Sequence, residues 1–252
     1  MVMLRCVFVV GLLGSAAAAC VQTRLEVKDI VEDRPRYLDE HFSVASVPRE
    51  LLPYFSKTRR NFFKYKEFAV TYALKSNKDE LIETCRTVYL GLGLNRIDCE
   101  LKNANGFAIG SKFQITYLGL LTIRIQVARY DSRAASAIEE IKRIETFPDG
   151  LIDAKLGTEY RFHANSGTEW QIGGPVDVQY TLRPTQTIAA ADIFPALQGD
   201  AMLIDTETTN VNGLRSSKRS DYYLPYYGVT IRGRFENSTT TEIYEVKNVE
   251  IR

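Results

Sequence analysis

Stretches of period-two alternation constrain this chain most. Val176, Val178, Tyr180 and Leu182 alternate with Asp177, Gln179 and Thr181, and Val229, Ile231, Gly233 and Phe235 alternate with Thr230, Arg232 and Arg234. Successive side chains of an extended chain point to opposite faces, so such stretches make strands with one buried and one wet face, as in antiparallel sheet. Ile123, Ile125 and Val127, alternating with Arg124, Gln126 and Ala128, repeat the pattern within 112–130. Shorter strands are expected over 68–74, 96–101, 158–163 and 242–251, with Gly119 marking a turn or bulge.

Two stretches carry helical spacing instead. Asn77 and Glu80 form a capping-box-like pair, and Leu81, Ile82, Cys85, Val88, Tyr89 and Leu92 share one helical face that Gly91 and Gly93 end. Ala134, Ala137, Ile138, Ile141 and Ile144 form a second stripe over 131–145, with Glu139 and Arg143 paired outside. In chain order this predicts an α+β fold: a two-layer, mostly antiparallel sheet with two helices in ferredoxin-like β-α-β-β-α-β order over 61–165. A β-rich domain or extension comes next, over 166–252. Residues 20–60, charged and broken by Pro35, Pro48 and Pro53, read as a tether. The strands counted this way are too few for an outer-membrane barrel, and the chain ends in Arg252 rather than an aromatic residue.

The first twenty residues specify an address. Arg5 supplies a basic start, 7–13 an apolar stretch and 14–19 a run of small residues, the layout of a secretory signal. The apolar stretch is shorter than the roughly 20 residues a spanning helix needs, and no later window supplies such a run. Ala18, Ala19 and Cys20 resemble the lipobox of bacterial lipoproteins, with Ala17 where that family usually has Leu. The resemblance covers the leader alone. It implies removal of 1–19, lipid on Cys20 and, with Val21 rather than Asp next, an outer-membrane anchor facing the periplasm. Ordinary signal peptidase also accepts the alanines, which would leave a soluble periplasmic or secreted protein. Loss of Arg5 takes the formal charge from +1 to 0, so no global field attracts nucleic acid.

Cys85 and Cys99 remain as an even pair after export. They are expected either as a disulfide stapling helix to strand or as two separate buried thiols. Neither has a second Cys or a His at ligand spacing, so no metal is expected. No catalytic residues and no cofactor are assigned. In 91–96, Arg96 replaces the third glycine of a dinucleotide fingerprint, and His41 and His163 are the only histidines. The cluster at 205–213 reads as a polar turn.

Two surface candidates remain. Lys57, Arg59, Arg60, Phe62, Phe63, Lys64 and Tyr65 mix cations and rings in a manner that suits a membrane surface, or form a solvated edge. Arg215, Lys218 and Arg219 precede Tyr222, Tyr223, Tyr226 and Tyr227, a composition typical of interfaces, or rings anchoring a loop. The expected function is non-enzymatic. The leading expectation is an anchored structural or assembly component of an envelope complex working through protein contacts; the alternative is an exported module binding glycan or lipid, and behind both stands an envelope hydrolase using paired carboxylates.

Overall fold

A computed structural model describes residues 26–56, 62, 65–77, 79–147, 150–168, 174–210 and 216–252. From Phe68 onward the chain closes into an antiparallel barrel of twelve strands in chain order. They are β1 (Phe68–Ser76), β2 (Glu80–Gly91), β3 (Leu94–Asn103), β4 (Ala108–Tyr117), β5 (Leu121–Arg129), β6 (Glu139–Ile144), β7 (Tyr160–Thr168), β8 (Val176–Ala189), β9 (Asp200–Asn210), β10 (Ser216–Leu224), β11 (Val229–Asn237) and β12 (Thr241–Ile251). Each pairs with the next, and β12 returns to β1.

This overturns the expected two-layer α+β fold. Residues 77–92 contain a strand, β2, because Glu83 occupies an inward position opposite Leu101 and is wholly buried. That inward charge breaks the apolar alternation and leaves only the helical spacing visible. Residues 139–144 of the second expected helix are β6, while Ala134 bridges Glu26. Sheet partners on both sides decide these segments against their local pattern. β9 and β10, read as turn and loop, bring the strands to twelve, and the division expected at 165/166 falls inside β7.

The residues before the barrel form three short helices among the described positions: α1 (Val27–Glu32), α2 (Arg34–His41) and α3 (Leu52–Phe55). Asp33 caps α2 by accepting from the Arg36 N–H, and Pro35 sits in the first turn, where its missing donor costs nothing. The segment expected as a tether instead covers the outer face of β3–β5. Phe42, Leu51 and Phe55 are fully buried in one cluster with Phe113, Ile115 and Tyr117, and Phe55 stacks on Tyr117 at 4.8 Å. Arg34 pairs with Asp98, Arg96 with Asp39 at 2.9 Å, and the Tyr37 hydroxyl donates to Gln126.

Elsewhere the outside is charged. Lys75, Arg86, Arg161, Arg183, Lys218, Arg234, Glu245 and Lys247 stand exposed on seven strands. A lipid-facing wall carries an apolar band about 25 Å tall; this wall suits water.

The barrel is a cup. At its base, Leu118–Leu120 turns inward against β11. Gly119 has φ +72°, and a β-carbon there would lie 2.6 Å from the Thr230 backbone nitrogen. Gly119→Ala therefore combines left-handed strain with a backbone clash. It is expected to cost about 1–3 kcal/mol, read as a lowered urea midpoint at unchanged m. The mouth lies at the other end, where β1, β3, β5, β7, β9 and β11 finish.

Candidate functional site: the barrel lumen

Two breaks in pattern bring charge inside. In β11, Phe235 pairs with Arg219 and Arg232 pairs with Asp221, so Gly233 is the extra residue of a bulge. A bulge flips the face of the residues beyond it. The alternation read over 229–235 is thereby split: Phe235 and Arg232 line the lumen, while Val229 and Ile231 join Phe68, Val70, Tyr227 and Val249 in a second apolar cluster. Gly233 is required there, since a β-carbon would meet the Ser220 carbonyl oxygen at 2.5 Å. In β4 the polar residues Lys112 and Gln114 face inward, because Phe113 and Ile115 on the other face are covered by the N-terminal helices.

The lumen holds a cavity of about 340 Å³. Its inner side is an ionic network built on Glu83. The Arg232 guanidinium donates to Glu83 Oε2 at 2.7 Å and to Gln114 Oε1 at 2.9 Å, and Lys112 Nζ lies 2.6 Å from Glu83 Oε1. Tyr72 accepts from the Arg232 backbone N–H at 3.3 Å, and the Tyr244 ring lies 5.5 Å from the guanidinium carbon. The Tyr244 hydroxyl donates to Glu242 at 2.5 Å, and Arg219 pairs with Asp221. Lys112 and Arg232 thus share Glu83, Arg219 has Asp221, and Glu242 is held by a tyrosine hydroxyl.

Burial alone would push the Glu83 carboxyl up, but Arg232 and Lys112 overcome it and hold it at about 2. Burial, with the Arg232 charge beside it, pulls Lys112 below its ordinary value against the pull of Glu83. Burial would also lower Arg232, and Glu83 more than reverses that. Glu83 and Arg232 each favour the charged form of the other, and the side chains of the network hold one another in place.

The remaining wall differs in character. Leu120, Ile123, Ile125 and Ile141 form an apolar side, and Ser166, Thr206, Thr208 and Ser217 place hydroxyls around the lumen. Tyr180 stacks on Phe162 at 4.8 Å with 6° between ring planes, and burial with Glu139 nearby pushes its hydroxyl up to about 12. Phe235 and Tyr244 add two further rings. The arrangement can clasp a small molecule between aromatic faces, meet its apolar surface along β5 and β6, and hydrogen-bond its polar edge.

Cys85 and Cys99 lie directly opposite one another on β2 and β3 and form a disulfide between neighbouring strands, not between helix and strand. Their sulfurs and Glu83 lie within 4.8 Å of one another. This trio does not suit a metal: the sulfurs are bonded to each other, and Glu83 already faces two cations.

The other sequence candidates are dispersed. Of the tyrosine-rich loop, Arg219 turns into the lumen, Tyr223 and Tyr227 are buried, Tyr222 is half-buried, and Lys218 and Tyr226 are exposed. Arg215 lies outside the described residues, as do Cys20, Lys57, Arg59, Arg60, Phe63 and Lys64. Phe62 packs at the base 6.0 Å from the Tyr89 ring, and Tyr65 packs on Phe68. His41 stacks on Tyr37, and His163 is exposed on β7. Glu83, Lys112 and Arg232 were not legible as a site, since inwardness depends on barrel closure and on the bulge. Comparison with known proteins adds no relative: a scan against family models, a search of curated proteins and a search of solved structures each return no match.

Proposed function

We propose that this chain is an exported, lipid-anchored binding protein whose barrel lumen takes a small neutral or zwitterionic molecule with an apolar or aromatic face. One observation carries the reading: a 340 Å³ cavity whose three cations, Lys112, Arg219 and Arg232, are each paired with a carboxylate before any ligand arrives, beside an apolar wall and three rings. Ligand pockets characteristically combine apolar walls with a few fixed polar groups. A floor whose cations are already neutralised disfavours a ligand with net negative charge, because such an ion would have to be desolvated without a partner. The leader-like residues 1–19 and Cys20 support the address. A role through the tyrosine loop has less support, because Arg219, Tyr223 and Tyr227 are turned inward or buried.

Native mass spectrometry of the protein extracted from its own membranes tests binding. A bound small molecule of defined mass is expected, and it should be lost in Thr208→Trp, which fills the lumen, while the thermal midpoint stays within a few degrees. Absence of any adduct from both the parent and the filled variant would count against the reading.

A further inference from the structure

The place where the N-terminal segment joins the barrel orients the molecule. Glu26 bridges Ala134 in the connection between β5 and β6. The Val27 N–H donates to the Arg133 carbonyl at 2.9 Å, and the Arg133 guanidinium lies 2.9 Å from Glu26 Oε1. That connection belongs to the mouth: β5 rises from the base turn at 118–120, and β6 begins with Glu139, which lines the cavity. Cys20 precedes Glu26 by six residues, a step that spans at most about 20 Å when fully extended. The wall is taller, since the nine residues of β1 run about 30 Å, or roughly 21–25 Å along the barrel axis at the usual strand tilt of about 35–45°. A lipid on Cys20 therefore reaches the bilayer most directly from the mouth end.

A second observation marks the same end. Phe107, in the connection between β3 and β4, is 69% exposed. The turn that presents it is held by Asn103, whose side-chain oxygen accepts from the N–H groups of Asn105 and Phe107 at 3.0 Å each. An aromatic ring on a braced turn is suited to the boundary between headgroups and acyl chains, which apolar side chains enter by about 5–10 Å.

We propose that the mouth of the barrel faces the bilayer that holds the anchor, with Phe107 seated in the lipid surface, so that the cavity is loaded from the lipid side. The proposal rests on Cys20 as the point of attachment. It puts the base, with Phe62 and Tyr65 of the basic and aromatic stretch, away from the membrane.

The test uses the mature chain, residues 20–252, coupled through the Cys20 thiol to a maleimide lipid in phosphatidylcholine vesicles. Attachment then does not depend on cellular processing. In a Trp170→Phe background, a tryptophan is placed at the mouth by Phe107→Trp or at the base by Tyr226→Trp, and quenching by brominated phosphatidylcholine is measured. Quenching several-fold stronger for the mouth variant is expected; equal quenching, or stronger quenching at the base, overturns the orientation. The intact mass of the native protein tests the anchor separately, and a chain without acyl groups removes the premise whatever the vesicles show.

Discussion

Glu83→Gln is expected to lower the stability of the barrel by about 3–5 kcal/mol, the range found when one partner of a buried ion pair is removed. The substitution keeps the shape but removes the charge to which both Arg232 and Lys112 are bound, in a place where Glu83 has no exposure at all. Two cations are then left buried and short of a counter-charge, and the urea midpoint should fall accordingly. Replacing the network together, Glu83→Leu with Lys112→Met and Arg232→Met, removes the desolvation cost along with the attraction. It should recover most of the loss. A single variant as stable as the parent, or a triple variant no better than the single one, contradicts the assignment of these residues as one unit.

The same network fixes an acid limb. The carboxyl of Glu83 titrates at about 2 in the folded chain against an ordinary value of 4.5. A group depressed on folding contributes stability above its unfolded value, and that contribution is lost as pH falls through the folded one. The Glu83 share is therefore complete above about pH 4.5 and disappears toward pH 2. In Glu83→Gln the stability profile should be flatter across this window.

Removal of the N-terminal helices is expected to abolish the folded barrel. Ile30, Leu38, Phe42, Leu51 and Phe55 are each buried against the outer wall. At roughly 1.5–3 kcal/mol for each such side chain, their burial contributes on the order of 10 kcal/mol, comparable to the whole stability of an ordinary domain. Truncation also bares Phe113, Ile115 and Tyr117 on β4. A chain beginning at residue 62 should be insoluble or bind 1-anilinonaphthalene-8-sulfonate without a cooperative thermal transition, whereas a chain beginning at residue 26 should unfold cooperatively. Cooperative unfolding of the shorter chain within a few degrees of the longer one would restore the tether.

Legibility tracked the register. Tyr180 and Leu182 point into the barrel from β8, on the face that alternation indicated, because no bulge intervenes between Val178 and Leu182. In β11 the same reasoning stopped at Gly233, where one extra residue puts Arg232 inside. Lys112 and Gln114 were hidden by a different cause: the covered face of β4 holds the large apolar residues, so the chain's most apolar side is its outside there. Inward Glu83 disguised β2 as a helix, and with it the strand count that closure required. Within the barrel, Glu83, Lys112, Gln114 and Arg232 were misread because polar groups occupy interior places there and local pattern loses its meaning.

By itself the sequence determined the leader-like start, the even cysteine pair and the two-faced strands, since these depend on residue type and nearest spacing alone. Closure into a barrel, the ionic floor of its lumen, and the end at which Glu26 joins the wall were decided by tertiary structure. Each depends on which strand lies beside which, and pairing over long separations leaves no mark in local periodicity.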